Sequence, residues 1–301
     1  MTETLPMPIT APLSNAQRTQ LMNLVRRAAR AEIMPRFRQL EPHQISAKAH
    51  AQDLVTDADK GAEAMIARGL LSMFPNALIV GEEAVADNPK ITDKIGEAEL
   101  CFTIDPVDGT WNYARGLTTF GVIISILRFG IPVFGLLYDP VMNDFIIADE
   151  QSPAEYIGPR LRRRTLRTLK GSKLDEMIGY VPLFLLPKDK QAQMAATLPR
   201  FGRVTSLRCS CHESRMLTSG SIDFVLSAKV TAWDHPAGVV TATQAGGYCA
   251  MLDGSDFRGD LKSGYLLSAG SKETWEQVRD VFAFLQDTPA SEIQETASET
   301  A

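Results

Sequence analysis

The chain has 301 residues, of which 45% are hydrophobic and 22% charged, so it is long and apolar enough to bury a large core. Its net charge of −5 argues against a nucleic-acid-binding surface spread over the whole protein, and a small anionic substrate would need cations brought to it. The sequence has no run of about 18 uncharged apolar residues and no basic segment followed by an apolar core near Met1, so we expect a cytoplasmic protein that is neither exported nor inserted in a membrane.

The first third of the chain predicts two amphipathic helices and two short strands. Apolar residues recur at helical spacing over residues 16–40 and again over 59–74. The apolar stretches 77–80 and 100–104 have the length and composition of buried strands. The first is followed by Gly81-Glu82-Glu83, and the second is followed directly by Asp105.

The rest of the chain mixes strands and helices. Segments 120–127, 133–138 and 144–148 are apolar and rich in β-branched residues, and they predict an antiparallel meander. Beyond it we predict strands over 176–186 and 222–227 and helices over 188–198, 211–219 and 235–245. The ends, residues 1–14 and 287–301, lack an apolar face and are predicted to be flexible tails.

Two features resemble a zinc site and a nucleic-acid-binding site, and in both cases the sequence favours an interpretation without a bound ligand. Cys209-Ser-Cys211 has no second pair at zinc-finger spacing, so the four cysteines are expected to be free thiols. The stretch from Arg160 to Lys173 holds seven basic residues but no aromatic residue between them, which favours a solvated edge strand or hairpin over a nucleic-acid site.

Residues 103–113, Thr-Ile-Asp-Pro-Val-Asp-Gly-Thr-Trp-Asn-Tyr, carry the most informative motif. An apolar strand ends in Asp105 and Asp108, and Gly109 and Thr110 follow at once. Carboxylate oxygens suit Mg²⁺, a hard cation that fills its remaining positions with water and phosphate oxygens. If a helix starts near Thr110, its free N–H groups can face an anion that Gly109 allows to come close. The segment therefore suggests phosphate-ester chemistry beside a metal.

Three more segments place acids next to turns or helix starts: Asp53–Asp59, Gly81–Glu83 and Trp233–Gly238. Each alone is weak, because an acid pair in a loop is more often a solvated surface or a helix cap than a ligand. An EF-hand calcium loop beginning at Asp57 is excluded by spacing, since its sixth position is Ala62 instead of glycine.

Together the four segments resemble, in order and roughly in spacing, the signature of the inositol monophosphatase family of Mg²⁺-dependent phosphatases, over about residues 17–279. The resemblance implies an α/β fold, a layered αβαβα sandwich of the inositol monophosphatase or sugar phosphatase type. It implies a metal- and phosphate-binding half over 15–150 and a half over 151–286 that completes the metal site and the substrate pocket. It also implies a lithium-sensitive homodimer that acts on a small phosphorylated substrate and uses neither a nucleic acid polymer nor a membrane.

The same resemblance assigns metal ligands residue by residue. Glu82, Asp105 and the backbone carbonyl of Val107 would bind one Mg²⁺, and Asp105, Asp108 and Asp234 would bind a second, so that Asp105 bridges the two. Glu82 would also help to place a third, weaker ion and counts among the catalytic residues. Two metals make physical sense, because one can activate water while the other stabilises the leaving oxygen.

Further roles are implied around these ligands. Asp59 and Thr110 would orient and deprotonate the attacking water, and Gly109 and Thr110 would offer N–H groups to the phosphate. Lys48, Asp234 and His235 are the remaining expected contacts to phosphate or substrate.

Substrate choice stays open at this point. Inositol-preferring members of the family have an acidic residue seven positions before the metal-binding aspartate, and here that position is Ser227, which should weaken inositol recognition. The alternatives within the family are a fructose-1,6-bisphosphatase, a histidinol phosphatase and a 3′-phosphoadenosine nucleotidase. Outside it, a non-catalytic protein that binds metal and phosphate is disfavoured, because the complete ligand set is present.

One further segment departs from the family pattern. Residues 208–213, Arg-Cys-Ser-Cys-His-Glu, replace the small-residue Gly-Ser-Ala pattern, so the helix there could present His212, Glu213 or Arg215 to a different leaving group. Arg115, just after the phosphate loop, could bind a second anion.

Overall fold

A computed structural model of the protein describes residues 13–47 and 54–286. The helices are α1 Asn15–Ala28, α2 Asp57–Met73, α3 Glu82–Asp87, α4 Thr110–Ala114, α5 Lys188–Thr197, α6 Ser210–Thr218, α7 Pro236–Gln244 and α8 Lys272–Val281. The first strands are β1 Ile45–Ala47, β2 Leu54–Thr56, β3 Leu78–Gly81, β4 Cys101–Asp108, β5 Gly121–Arg128, β6 Ile131–Asp139 and β7 Asp144–Asp149. The others are β8 Ser152–Ile157, β9 Arg163–Thr165, β10 Ile178–Tyr180, β11 Arg203–Thr205, β12 Phe224–Ser227, β13 Tyr248–Met251 and β14 Leu266–Ala269.

Seven strands form the larger sheet, in the order β3-β4-β5-β6-β7-β8-β9. β3 and β4 run parallel, and every other neighbouring pair in this sheet is antiparallel, so the predicted meander over β5, β6 and β7 is confirmed. All eight residues of β4 are buried, as expected for a strand covered on both faces. A five-stranded sheet has the order β11-β10-β12-β14-β13.

The helices cover both faces of each large sheet. On one face of the seven-stranded sheet, α1 and α2 pack through residues such as Val25 and Ile66 against Phe102 and Ile124. On the other face, Ala237 of α7 joins Cys211 of α6 and strand residues in a second cluster.

The same pair α6 and α7 also packs against the five-stranded sheet, where Leu217 and Ala242 meet Val225. The outer face of that sheet is covered by α5 and α8, with Met194 and Val278 in one cluster with Phe224. The layers therefore alternate helix, sheet, helix, sheet, helix, and the expected α/β sandwich is confirmed.

Some local predictions were wrong. The strand expected over 176–186 is limited to β10, and Leu183–Leu185 forms a 3₁₀ turn, because Pro182 and Pro187 cannot donate to a ladder. α1 ends at Ala28 and continues as a π-helical turn over Ala29–Ile33, short of residue 40. The pattern also missed β8, β13, β14 and α8.

The ends and the basic stretch can be compared only in part. Residues 1–12 and 287–301 lie outside the described residues, whereas Leu13 is buried and Ser14 caps α1, so these two do not belong to a loose tail. β9 is the exposed edge strand expected within the basic stretch. The division of the chain at residue 150 stays a prediction, and the larger sheet itself continues to Thr165.

The expectations for the cysteines and for membrane-spanning segments can also be compared with the structure. The four cysteines are free thiols, three of them buried. Across residues 13–47 and 54–286, we find no helix with the length and apolar character needed to span a bilayer.

Candidate metal and phosphate site

Strand pairing brings the first two carboxylates together. β3 and β4 are parallel neighbours, and Gly81 is the register partner of Ile104. The residues that follow them, Glu82 and Asp105, therefore lie side by side at the same edge of the sheet. The charge of Glu82 acts on Asp105, which agrees with this placement.

A β-bulge brings Asp108 to the same site. Side chains three residues apart on a regular strand point to opposite faces. Between Asp105 and Asp108, however, the register against β5 shifts, because these residues pair with Ile123 and Gly121 and three steps on one strand face two on the other. The extra residue resets the alternation. Asp105 Oδ1 also accepts a hydrogen bond from the Val107 N–H at 3.1 Å, which fixes the bulge from inside.

The third carboxylate comes from the distant part of the chain. Asp234 lies just before α7, where His235 is the N-cap and Pro236 opens the helix. Asp105, Asp108 and Asp234 each offer one carboxylate oxygen, and the three oxygens lie within 4.8 Å of one another. Three converging carboxylates form a donor set of the kind that binds a hard divalent cation.

The electrostatics of the cluster agree with a cation site. Burial raises the pKa of Asp105 well above its usual range, and the charges of Glu82, Asp108 and Asp234 raise it further. Burial, followed by the charge of Asp234, raises the pKa of Asp108 to about 7. Like charges held this close in a buried site are unfavourable unless a cation or a proton compensates them. The residues present therefore fit a Mg²⁺ ion.

The N-terminus of α6 also holds Asp108, a contact that the sequence did not predict. Its Oδ2 accepts hydrogen bonds from the Cys211 N–H at 2.5 Å and the Cys209 thiol at 3.0 Å. Backbone N–H groups at a helix start stabilise a negative charge, so these contacts lower the pKa of Asp108 and oppose the effect of burial. The 208–213 segment, which departs from the family pattern, thus touches a candidate metal ligand directly.

Thr110 and Asp59 meet beside the carboxylates. The Thr110 hydroxyl lies 3.2 Å from Asp59 Oδ1 and 3.0 Å from the Val107 carbonyl oxygen. Asp59 is fully buried, and its Oδ2 accepts hydrogen bonds from the N–H and hydroxyl of Thr56. Because Thr56 is the N-cap of α2, a capping box holds Asp59 in place. Gly109, with a φ of 86°, turns the chain from β4 into α4.

Glu63 holds the start of α3 beside this site, a role that was not predicted from the sequence. Its two carboxylate oxygens accept hydrogen bonds from the N–H groups of Glu83 and Ala84 at 2.8 and 2.9 Å. These N–H groups belong to the first turn of α3, which begins at Glu82 and has Gly81 as an N-cap without a side chain. The available signal was its position four residues after Asp59, on the same face of a predicted helix.

The expected substrate contacts have mixed outcomes. Lys48 lies outside the described residues. His235 is buried, its Nδ1 lies 3.3 Å from the N–H, carbonyl and hydroxyl of Thr231, and burial lowers its pKa. His235 and Ser227 line one small cavity together with Ser214 and Ser268.

From the sequence, three side chains of α6 could have faced a leaving group. In the structure each of them instead contacts other residues of the protein. His212 Nε2 lies 3.0 Å from the Phe120 carbonyl oxygen, and Glu213 accepts a hydrogen bond from the Leu207 N–H at 2.7 Å. Arg215 pairs with Asp144. These contacts account for the polar residues in the helix.

Comparison with known proteins identifies the family of this chain. The inositol monophosphatase family matches residues 14–284. An inositol-1-monophosphatase of Synechocystis sp. is 30% identical over 256 residues, covering 81% of this chain and 82% of that protein. A fructose-1,6-bisphosphatase/inositol-1-monophosphatase of Thermotoga maritima is 24% identical over 212 residues, covering 70% and 77%. A protein of Pasteurella multocida named Nus factor SuhB is 28% identical over 275 residues, covering 89% and 97%.

Solved structures show the same fold. An inositol monophosphatase from Zymomonas mobilis superposes with a TM-score of 0.73 at 22% identity, covering 90% of this chain and 100% of the other. An IMPase from Thermotoga maritima gives a TM-score of 0.72 at 21% identity, covering 90% and 99%. Since the family match spans nearly the whole described chain and places the four acidic segments within it, this protein belongs to the inositol monophosphatase family.

Proposed function

We propose that this protein hydrolyses a small phosphate monoester in a Mg²⁺-dependent reaction. One observation carries the proposal: the carboxylate oxygens of Asp105, Asp108 and Asp234 converge within 4.8 Å beside a Thr110–Asp59 hydrogen bond. The cluster can hold a divalent cation, and the threonine–aspartate pair can orient a water molecule next to it and accept a proton from that water.

This arrangement supports a ligand set for each ion. We propose that Glu82, Asp105 and the Val107 carbonyl hold one Mg²⁺ and that Asp105, Asp108 and Asp234 hold a second, with Glu82 contributing to a third. When bound, the ions would supply an acidified water and charge stabilisation for the leaving oxygen. Asp105, deepest in the acidic cluster and influenced by the charges of Glu82, Asp108 and Asp234, is suited to bridge the two sites.

The residues of the chain orient the water and the phosphate. If the Thr110 hydroxyl donates to Asp59, its oxygen is free to accept a hydrogen bond from the attacking water. Asp59 is then positioned to take the proton, because the hydrogen bonds from Thr56 occupy its Oδ2 and Oδ1 lies next to the Thr110 hydroxyl. The N–H groups of Gly109 and Thr110 would face the phosphate at the start of α4. No covalent phosphoenzyme is required.

For the substrate we propose a phosphate ester of a small sugar or polyol, with no nucleic acid polymer or membrane involved. Ser227 lies at the end of β12 and lines the same cavity as His235, so a neutral hydroxyl occupies the place where a carboxylate would bind inositol hydroxyls more strongly. Lys48, Asp234 and His235 are the proposed further contacts. We also propose, from family membership, a cytoplasmic homodimer that lithium inhibits.

The test is phosphate release by the purified protein from inositol 1-phosphate, fructose 1,6-bisphosphate, histidinol phosphate and adenosine 3′,5′-bisphosphate. We expect release that requires Mg²⁺, stops with EDTA and is lost in Asp105→Asn. Asp280→Asn is the matched control, because Asp280 is exposed and pairs only with its neighbour Arg279 among the described residues. Mg²⁺ binding without release from any ester would contradict hydrolysis and favour a non-catalytic phosphate-binding protein.

A further inference from the structure

Three arginines lie beside the candidate phosphate loop. Arg208 stacks on the indole of Trp111, with its Cζ atom 4.2 Å from the ring centroid. Arg115 approaches the same ring at 5.8 Å, so the two Cζ atoms are at most about 10 Å apart. Arg38 donates from Nε to the carbonyl oxygen of Gly116, the residue after Arg115, at 2.9 Å. We call these three side chains and Trp111 the arginine rim.

The rim is fixed next to the metal ligands. Trp111 follows Thr110 directly, and Cys209, the residue after Arg208, donates its thiol to Asp108. The backbone of the 207–208 segment is tied to α4, because Asn112 Nδ2 donates to the Leu207 carbonyl oxygen at 2.8 Å. The rim therefore borders the place where a phosphate would sit.

Among the described residues, no carboxylate pairs with the positive charges of the rim. The chain as a whole is nevertheless acidic. Partial burial lowers the pKa of Arg208, because the guanidinium charge is partly removed from water and no described carboxylate compensates for this. Guanidinium groups bind phosphate oxygens through paired hydrogen bonds.

Two rim residues also hold a strained backbone. Arg38 and Arg208 have φ values of 61° and 54°, in the left-handed region that non-glycine residues rarely adopt. Residues held this way often mark a functional constraint. At position 208 this backbone carries the arginine that stacks on Trp111.

From this geometry we infer that the arginine rim is a subsite for a second anionic group of the substrate, such as the second phosphate of a bisphosphorylated sugar or nucleoside. The inference rests on the proposed phosphatase function and narrows its substrate class. Arg208 already covers one face of Trp111, so the subsite recognises charge through guanidinium groups instead of stacking a base on the indole.

The test compares pairs of esters that differ only by the second phosphate: fructose 1,6-bisphosphate with fructose 1-phosphate, and adenosine 3′,5′-bisphosphate with adenosine 3′-phosphate. In one of the two pairs we expect a higher kcat/KM for the bisphosphate than for the monophosphate. The pair that shows this difference tells whether the substrate is a sugar or a nucleoside phosphate. In Arg208→Asn the ratio within that pair should fall by about 10- to 100-fold, the usual effect of losing a hydrogen bond to a charged group. Asparagine suits the left-handed backbone.

Arg160→Asn is the matched control, because Arg160 is also exposed and also has a left-handed φ of 62° but lies after β8. It loses the same charge and should leave the ratio as in the wild type. Should Arg208→Asn fail to fold, Arg115→Gln at an exposed position tests the same subsite. A wild-type ratio near one, or an equal ratio in wild type and variant, would overturn the inference.

A second measurement separates this inference from the proposed function. Fructose 6-phosphate and adenosine 5′-phosphate carry only the second phosphate, and their binding should change tryptophan fluorescence in the wild type but much less in Arg208→Asn. If no ester is hydrolysed but this binding difference is found, the phosphatase proposal fails and the anion subsite stands. If esters are hydrolysed and neither probe distinguishes the variant, only the subsite is refuted.

Discussion

Replacing Glu63 by alanine should weaken Mg²⁺ binding although Glu63 itself is not a proposed ligand. The carboxylate of Glu63 accepts the Glu83 and Ala84 N–H groups, the second and third of α3, which an N-cap side chain would normally take. Gly81 cannot supply that cap. Without Glu63, two N–H groups in the first turn lose their acceptor and the turn that carries Glu82 is free to fray.

The size of the effect can be set from these contacts. The two N–H groups belong to one cap; loss of a cap typically costs about 0.5–2 kcal/mol, and a single hydrogen bond to a charged group contributes about 1.5–3 kcal/mol. We therefore expect Glu63→Ala to lower the free energy of unfolding by about 1–3 kcal/mol. The Mg²⁺ concentration for half-maximal phosphate release should rise about 3- to 10-fold, which corresponds to about 0.7–1.4 kcal/mol of binding free energy.

A second substitution can restore the cap. An added Cβ at Gly81 would lie 2.1 Å from Glu63 Cδ, so Gly81→Ser should damage the wild type. In Glu63→Ala that obstacle is gone, and the extended backbone of Gly81, with φ −97° and ψ 156°, suits a serine N-cap. The double variant should therefore recover part of the lost Mg²⁺ affinity.

The assay combines Mg²⁺ titrations of phosphate release with urea unfolding in EDTA. Leu70→Ala is the control, because it removes a buried side chain from the same helix α2 and should destabilise the protein at least as much without touching α3. The reasoning would be refuted if Leu70→Ala shifted the Mg²⁺ midpoint as far as Glu63→Ala does. It would also be refuted if Gly81→Ser were equally harmful in both backgrounds.

Three other predictions concern the site and its surroundings. Thr110→Ala should reduce kcat by about 100-fold or more while moving the Mg²⁺ midpoint little, and the reverse pattern would remove the proposed role in orienting water. Ser227→Glu should raise activity on inositol 1-phosphate relative to other esters, and no change would place substrate preference elsewhere in the pocket. Burial raises the pKa of Glu213 to about 7 in the folded protein, so the folded state holds a proton that the unfolded chain releases, and stability should fall as pH rises from about 4.5 through 7. Glu213→Gln should flatten that fall in urea unfolding at pH 5 and pH 8, and an unchanged pH dependence would contradict the assignment.

The sequence was informative where local chemistry and periodicity agree. The motif at Asp105 and Asp108 joins an apolar strand, a turn and a helix start within a few residues, and the structure contains β4, the bulge and α4 there. The helices α2, α6 and α7 start and end within a few residues of their predicted bounds for the same reason. In each case one face is apolar and the ends carry residues that stop or start a helix.

What the sequence could not give are contacts made between distant segments. Cys209 and Cys211 contact Asp108 across about one hundred positions, and nothing near either residue signals the partner. Glu63 was visible only as a charged residue on a helix face that should be apolar. β13 and β14 are four residues each and contain no β-branched residue, unlike the equally short β3 and β12, which were predicted.

The acidic cluster is itself an argument for a bound cation. Asp105, Asp108 and Asp234 form no ion pair with the basic residues of the described chain, and the donors that reach them, such as the Val107 N–H and the Cys209 thiol, are neutral. Neutral donors satisfy individual oxygens but leave the repulsion between carboxylates in place. Asparagine at one position would relieve that repulsion and still accept hydrogen bonds. A site that keeps three carboxylates close together, two of them buried, is explained by the cation that they can bind.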